Sequence, residues 1–177
     1  MTARHALMLL ALAVFSLPAF VANSAGSDLI GGTCVPDSAT VRAGVYETAG
    51  FGIRFGGNGT GKIRLLCPAL ETLNNVEAGG TALSVIDEDG METGARVRAH
   101  FRRATIGTNR WIAVGTCDSN TSNERGPHLV PRCSFPGHKL RSDEWYWWDV
   151  EIERSNPQVN VEFLGVGLRY IGPPPPF

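Results

Sequence analysis

Residues 144–154 read EWYWWDVEIER, and their alternation decides the fold class. In an extended strand, successive side chains point to opposite faces of the sheet. The even positions therefore form one apolar row of Tyr146, Trp148, Val150 and Ile152. The odd positions form a mixed row of two tryptophans and three acids: Trp145, Trp147, Asp149, Glu151 and Glu153. This pattern predicts a β-strand with one face in a core and the other in water.

Seven other segments have the same character, because they are short, rich in Val, Ile, Phe, Tyr and Trp, and bounded by turn-forming residues. The eight predicted strands are 40–47, 51–55, 62–67, 82–87, 95–103, 110–117, 145–153 and 158–171. No convincing amphipathic helix is present, and residues 68–80 are predicted to form a single helical turn or a loop. The sequence therefore predicts an all-β fold, an antiparallel β-sandwich of about eight strands, with the jelly roll as one such form.

The last predicted strand changes parity along its length. Val159, Val161 and Phe163 share one face, whereas the next apolar residues have the opposite parity: Leu164, Val166, Leu168 and Tyr170. A slip of one residue between positions 163 and 165 would turn both sets inward. We therefore expect a β-bulge there, involving Gly165 or Gly167.

The stretch GGNGTGKI at residues 56–63 differs by one residue from a phosphate-binding loop. That loop needs Ser or Thr after its lysine, but Ile63 has no hydroxyl to offer a magnesium ion. The following KIRLLC alternates with the period of a strand, whereas a phosphate loop leads into a helix. The sequence therefore predicts a hairpin turn with positive backbone angles at Asn58 and Gly59, and argues against nucleotide binding.

The N-terminus has the features of a secretory signal peptide. A short basic start at Arg4 and His5 precedes an apolar run over residues 6–17, and small residues follow over 22–26. A membrane anchor, the alternative, needs about 20 apolar residues. We expect a signal peptide at 1–25, a single β-sandwich domain at 26–172 and a Pro-rich stub at 173–177. The protein is expected to be secreted or periplasmic, with no membrane span in the mature chain.

Four cysteines, Cys34, Cys67, Cys117 and Cys133, all lie in the exported part. An even number in an oxidising compartment predicts two disulfides, for which three pairings exist. Proximity in sequence favours Cys34 with Cys67 and Cys117 with Cys133. A zinc site is disfavoured because no pair of cysteines or histidines has ligand spacing.

The charge balance argues against nucleic acid as a partner. Removing residues 1–25 removes only Arg4 from the charged residues and leaves 15 basic and 17 acidic side chains. Binding to nucleic acid draws most of its affinity from excess positive charge, which this chain lacks.

The odd row of the 144–154 segment is the main candidate for a binding site. Exposed tryptophans beside carboxylates suit a sugar. The indole rings stack on the C–H surfaces of the sugar, and the carboxylates accept hydrogen bonds from its hydroxyl groups. We therefore predict that Trp145, Trp147 and Asp149 bind a glycan or another cell-surface polymer. Two alternatives stay open: another strand, a loop or the Pro-rich tail covers the tryptophans, or they form a protein interface.

A second candidate row lies in ARVRAHFRR, where Arg96, Arg98, His100 and Arg102 share one face. Such a row could bind an anionic glycan, and Arg96 and Arg98 are counted as candidate ligand-binding residues. The alternative is a solvated face whose cations pair across the sheet with Asp149, Glu151 and Glu153.

The acidic stretch DEDGMETG, residues 87–94, has two interpretations. Asp87 and Asp89 belong to a cluster of oxygens that could bind calcium. The alternative, which Asp-Gly favours, is a polar hairpin.

Catalysis and cofactors find little support in the sequence. The histidines of the mature chain, His100, His128 and His138, lie in no motif with a mechanism behind it, and disulfides leave no free thiol. No cofactor or metal is predicted. We expect a non-catalytic, exported module that binds carbohydrate or a cell-envelope component. The alternatives are a structural or protein-interaction domain and a small secreted hydrolase, which would need two acids, or a histidine and an acid, to converge.

Overall fold

A computed structural model describes residues 28–69, 75–121 and 126–171. The predicted signal peptide, the Pro-rich stub and residues 70–74 of the predicted turn lie outside these ranges. The strands and the helix α1 are β1 Asp28–Ile30, β2 Val35–Pro36, α1 Ser38–Ala43, β3 Tyr46–Ala49, β4 Gly52–Phe55, β5 Gly61–Pro68, β6 Glu77–Asp87, β7 Ala95–Thr105, β8 Trp111–Asp118, β9 Gly126–Leu129, β10 Arg132–Lys139, β11 Glu144–Arg154 and β12 Val161–Ile171. Short 3₁₀ turns cover Gly31–Thr33 and Ser119–Thr121. Across these three ranges, no helix has the length and apolar character to cross a membrane.

The strands form two antiparallel sheets. The seven-stranded sheet has the order β10-β6-β12-β4-β3, with β1 paired to β12 and β9 paired to β6. The five-stranded sheet has the order β2-β5-β11-β7-β8. The predicted all-β sandwich is therefore confirmed, although it contains more strands than the eight predicted.

The core lies between the sheets and includes the even row of β11. Trp148, Val150 and Ile152 have no exposed surface. The ring of Phe101 on β7 lies 5.2 Å from that of Trp148, measured between centroids. Burying one such large apolar side chain stabilises the fold by about 1.5–3 kcal/mol. The alternation that predicted β11 thus reflects its burial on one side.

The strand predicted at 40–47 is wrong in its first half, where α1 forms instead. The Asp37 side chain accepts a hydrogen bond from the backbone N–H of Thr40 at 2.7 Å and caps the start of the helix. Gly44, in the left-handed conformation with φ of 60°, ends it. These two caps outweigh the preference of Thr40 and Val41 for a strand.

The predicted hairpin turn over residues 56–61 is also wrong, because β4 and β5 belong to different sheets. The segment is a corner between sheets, and its positive φ angles fall at Gly57 and Gly61, not at Asn58 and Gly59. The buried guanidinium of Arg154 donates hydrogen bonds of 2.6 Å to the carbonyls of Gly57 and Gly59 and so holds the corner. The predicted strand after Lys62 is confirmed as β5, where a phosphate loop would have a helix.

The β-bulge predicted in the last strand is confirmed. Opposite β6, Phe163 pairs with Val85 and Gly165 pairs with Ser84, so Leu164 is the extra residue. The slip leaves Phe163 and the later apolar residues Val166, Leu168 and Tyr170 buried, while Leu164 itself is half-buried.

Strand β10 was not predicted, because Pro136 and Gly137 interrupt it. It pairs with β6 at the edge of the seven-stranded sheet, and its register shifts between Ser134 and His138. Proline is tolerated at an edge strand or a bulge, since it cannot donate a ladder hydrogen bond.

Both favoured disulfides are present. Cys34 is bonded to Cys67 on β5, and Cys117 on β8 is bonded to Cys133 on β10. The second disulfide therefore joins one sheet to the other.

Candidate functional site

The outer face of the five-stranded sheet carries the candidate site. Residues directly opposite each other on neighbouring strands share a face, so the odd row of β11 aligns with defined partners. Trp145 lies opposite Ala104, Trp147 lies between Arg102 and Pro68, and Asp149 lies between His100 and Leu66. On the far side of β7, Ala104 lies opposite Trp111 of β8. The sequence did not indicate this last alignment.

One end of this outer face is rich in aromatic side chains, and we call it the aromatic end; it comprises Trp111, Ala104, Trp145, Trp147 and Pro68. Trp145 is 64% exposed and Trp111 is 58% exposed, while Trp147 is half-buried. Such exposure is unusual, because tryptophan in folded proteins is mostly buried. No part of the described chain covers Trp145, and the Pro-rich tail, which the sequence offered as one alternative cover, lies outside the described residues.

A groove of about 770 Å³ adjoins the aromatic end. Both predicted tryptophans, Trp145 and Trp147, line it. Its other walls include side chains from β2, β5 and the loops at this end of the sandwich, among them Val35, Leu66, Pro68 and Ile106. Val35, Leu66 and Ile106 are each at least half exposed. The groove is therefore a largely apolar depression that water reaches.

The other end of the outer face is a network of ion pairs, which we call the charged end. Glu151 accepts from Lys62 at 3.1 Å and contacts Arg64 at 3.2 Å and Arg98 at 3.7 Å. Asp118 on β8 accepts hydrogen bonds from Arg96 and contacts Arg98 at 3.4 Å. These contacts place Arg96 and Arg98 in cross-strand pairs, as in the alternative that the sequence left open. Of the acids named in that alternative, however, only Glu151 is a partner of these two arginines, and Asp118 was not expected to be one.

The acids of the charged end stay ionised because of these partners. Burial raises the pKa of Asp118, but the hydrogen bond and charge of Arg96 outweigh it and hold the pKa below the ordinary value. For Glu151, burial is likewise outweighed by Lys62, Arg64 and Arg98, and the pKa is lowered. Charges that already have partners are poorly placed to attract an ionic ligand.

His100, counted as potentially basic in the sequence, differs from the arginines beside it. Its Nδ1 lies 2.9 Å from the hydroxyl of Thr116. Burial and the nearby charge of Arg102 lower its pKa, so the ring is neutral at neutral pH. The row predicted from ARVRAHFRR therefore carries three cations.

Arg102 and Asp149 connect the two ends of the face. The Arg102 guanidinium lies over the ring of Trp111, 4.2 Å from its centroid, and contacts Asp149 at 2.8 Å. A cation over an indole face is attracted by the ring quadrupole. Asp149, predicted to bind ligand directly, is thus engaged in orienting Arg102, and Arg102 in turn covers one side of Trp111.

A hydrogen-bonded cluster lies at the end of the groove where β11 begins. The buried carboxylate of Glu144 accepts from the Arg103 guanidinium and from the hydroxyl of Tyr146. Tyr146 also lies 3.0 Å from Nε2 of His138 and accepts from the backbone N–H of Arg141 at 3.1 Å. Burial and the charges of Arg103 and Arg141 lower the pKa of His138.

This cluster is the one place where the described chain brings a histidine and an acid together beside the groove. Nε2 of His138 and Oε2 of Glu144 are 3.5 Å apart. However, both oxygens of Glu144 already have partners and its side chain is only 3% exposed. An acid–base catalyst must reach the substrate atom that it protonates. The geometry suits a cluster that fixes β11 and the loop before it.

The acidic stretch after β6 is not the polar hairpin that the sequence favoured. β6 and β7 belong to different sheets, so residues 88–94 cross between them. Asp87 is fully buried and Asp89 is 7% exposed. Asp87 accepts from the backbone N–H of Gly90 at 3.2 Å, and Asp89 accepts from that of Ala95 at 2.9 Å. Among the residues with described positions, no group of three or more histidine, cysteine or acidic side chains is arranged for a metal.

Among known proteins, the chain resembles solved structures at low sequence identity. No protein-family model matches the chain, and no curated protein matches its sequence. A solved family 6 carbohydrate-binding module, studied by dissection of its binding sub-sites, is 10% identical, with a TM-score of 0.49; the match covers 82% of this chain and 94% of the module. TmCBM61, solved in complex with β-1,4-galactotriose, is 10% identical, with a TM-score of 0.41 and coverage of 78% and 87%. Both likenesses concern the fold alone.

Proposed function

We propose that this protein is an exported carbohydrate-binding module whose ligand lies in the groove against Trp145 and Trp147. The observation that carries the proposal is the position of these two tryptophans. Both line one groove of about 770 Å³, and Trp145 is 64% exposed. Small-ligand sites usually measure about 300–1,000 Å³ and are mostly apolar.

The chemistry of the groove suits a sugar. A tryptophan presents a flat apolar surface and one N–H donor, and a pyranose presents flat C–H surfaces bordered by hydroxyl groups. Stacking removes both apolar surfaces from water, at about 25 cal/mol per Å² of area. An apolar surface left open to solvent is the usual sign of a binding site.

The proposal gives the predicted charged residues a supporting role. Arg96 and Arg98 are engaged with Asp118 and Glu151, and Asp149 is engaged with Arg102. Their part is to keep the outer face flat and ordered rather than to bind an acidic polymer. An anion that bound these arginines would compete with the carboxylates that they already contact.

Export to an oxidising compartment is part of the same proposal. The features of residues 1–25 favour secretion, and both disulfides need an environment that does not reduce them. Polysaccharides of cell envelopes and of surrounding material are available to a protein in that location.

A protein interface is the second candidate function. The groove wall formed by Val35, Leu66 and Ile106 favours it, because aliphatic side chains bury well against a protein but do not stack on sugar rings. In that case the same groove would bind an apolar side chain of a partner.

Electrophoresis of the mature protein, residues 26–177, in native gels containing polysaccharides tests the proposal. A panel of neutral and acidic polymers is compared with a polymer-free gel. We expect at least one polymer to retard the parent but not the Trp145→Ala/Trp147→Ala variant. Phe51→Ala is the matched control, since Phe51 is a 75% exposed aromatic residue at the β3–β4 turn of the other sheet.

The outcomes separate the two candidates. Retardation of the parent and of Phe51→Ala alone supports a glycan site in the groove. Equal retardation of all three proteins places the binding elsewhere and contradicts the proposed site. If no polymer retards the parent, the carbohydrate function is wrong and the protein interface becomes the leading candidate.

A further inference from the structure

We infer that the glycan is an uncharged chain that lies across the strands of the five-stranded sheet and extends beyond the groove to Trp111. This inference rests on the proposed function and adds a second subsite to it. Trp111 lies on the same outer face but does not line the groove. The subsite would bind the sugar units at one end of a chain whose other units occupy the groove.

The register of the strands places the two exposed tryptophans in one line. Ala104 of β7 lies opposite Trp145 on one side and opposite Trp111 on the other. Two inter-strand spacings separate β11 from β8, about 10 Å in total. The methyl side chain of Ala104 rises little above the sheet between them. A disaccharide unit could therefore span the two indoles without meeting an obstacle.

Arg102 prepares Trp111 for this role. Its guanidinium lies 4.2 Å from the ring centroid and is itself held by Asp149 at 2.8 Å. Trp111 nevertheless remains 58% exposed. A ring that is restrained before binding loses less conformational entropy when a ligand stacks on it. Arg102 is thus a positioning residue for the subsite.

The direction of the glycan follows from the separation of the outer face into an aromatic end and a charged end. A chain that ran along the strands would cover the charged end and remove water from pairs such as Arg98–Glu151 and Arg96–Asp118. Desolvating those charges costs free energy that contacts with a sugar do not offset. A chain that ran across the strands would meet Trp111 and Trp145 and then enter the groove. The step from β8 to β11 covers about 10 Å, about two sugar units, and about two further units in the groove give a chain of about four units.

The charges around this path indicate an uncharged ligand. Arg102 is paired with Asp149, Arg103 with Glu144, and Arg141 with Asp143. Each of these cations near the aromatic end therefore has its own carboxylate. None of these three arginines is unpaired and free to bind an acidic sugar. The carboxylate of such a sugar would also lie near the carboxylates of Asp149, Glu144 and Asp143.

Calorimetric titration with oligosaccharides tests the inference. The probes are β-1,4-linked gluco-, manno-, galacto- and xylo-oligosaccharides of two to six units, and the proteins are the parent, Trp145→Ala, Trp111→Ala and Ile112→Ala. Ile112 is the matched control, because it is the next residue of β8 and is 54% exposed. We expect affinity to rise with length up to about four units. Trp145→Ala should weaken every complex, and Trp111→Ala should weaken those of four or more units about ten-fold while leaving the disaccharide unchanged.

Several results would overturn the inference while leaving the proposed function intact. One such result is that Trp111→Ala binds oligosaccharides of every length as tightly as the control variant Ile112→Ala does. Another is that the affinity of the parent does not increase beyond the disaccharide. Tighter binding of oligogalacturonates than of the neutral series, or affinity that falls steeply as salt is raised, would contradict an uncharged ligand. If none of the oligosaccharides and no polysaccharide binds the parent, the proposed function itself fails and the subsite with it.

Discussion

Replacing Asp87 by asparagine should remove a pH dependence that this buried residue imposes on stability. Asp87 is fully buried at the end of β6, and one of its carboxylate oxygens has no hydrogen-bond partner in the described structure. Burial, together with the hydrogen bond and charge of the neighbouring Asp89, raises its pKa to about 6 against the opposing hydrogen bonds of Ser119 and Gly90. In the unfolded chain the ordinary aspartate value of about 4 applies.

The sign and size of the effect follow from this shift. Because the folded chain holds the proton more tightly, the associated stability is present below about pH 4 and is lost as the pH rises through about 6. A shift of about two pKa units corresponds to about 3 kcal/mol. The substituted amide would keep an acceptor for the Gly90 N–H and carry no charge at any pH. Relative to the parent, Asp87→Asn should therefore gain about 3 kcal/mol in free energy of unfolding between about pH 4 and about pH 7.

Urea unfolding followed by tryptophan fluorescence, at several pH values between these limits, measures the effect. Titrating groups that do not interact with Asp87, such as His138, cancel when the variant is compared with the parent at each pH. If the free energies of unfolding of parent and variant differ by the same amount at every pH from about 4 to about 7, the argument is refuted. Stabilisation by Ca²⁺ that Asp87→Asn abolishes would also contradict it, since a cation and not a proton would then satisfy the two carboxylates.

Two further predictions concern the stability of the sandwich. The Cys117→Ser/Cys133→Ser variant opens a loop with a sequence separation of 16 and should lose about 3 kcal/mol in denaturant unfolding; an unchanged midpoint would show that the link between sheets is dispensable. Trp148→Ala should cost about 3–5 kcal/mol, because the side chain is fully buried, whereas Trp145→Ala should change stability by no more than about 0.5 kcal/mol. Similar losses in these two variants would mean that Trp145 is buried in solution.

The strands could be predicted from the sequence where burial alternates along them, but their partners could not. Trp145 to Glu153 and Lys62 to Cys67 alternate cleanly, since one side of each strand contacts the core. Pairing depends on residues far apart in the chain. The glycine-rich segment between β4 and β5 therefore resembles a hairpin turn, although each strand pairs with a distant partner in its own sheet.

Local signals for α1 are present in the sequence, but the prediction of a strand gave them too little weight. Asp37 and Gly44 stand at the positions of an N-cap and a C-cap, on either side of a six-residue helix. That helix contains Thr40 and Val41, whose branched side chains favour strands. Over so short a segment, the capping residues decide the conformation more than the composition does.

The candidate site could be predicted in part. Trp145 and Trp147 follow from the alternation of one strand, but Trp111 does not. The register of β8 shifts between the partners of Phe101 and Arg102, so the outer face changes from even positions, such as Thr116, to odd positions, such as Trp111. A change of parity of this kind becomes visible only when β8 is paired with β7.

The central claim is that a glycan contacts the aromatic end of the five-stranded sheet, and the indole N–H signals in a ¹⁵N–¹H correlation spectrum test it most directly. The chain has four tryptophans, and three of them, Trp111, Trp145 and Trp147, lie on the outer face. The fourth, Trp148, is fully buried and serves as an internal control. Titration with a polysaccharide, or with an oligosaccharide of four or more units, that binds the parent should shift the signals of these three and leave that of Trp148 in place. Binding that leaves the Trp145 and Trp147 signals unmoved would contradict the account.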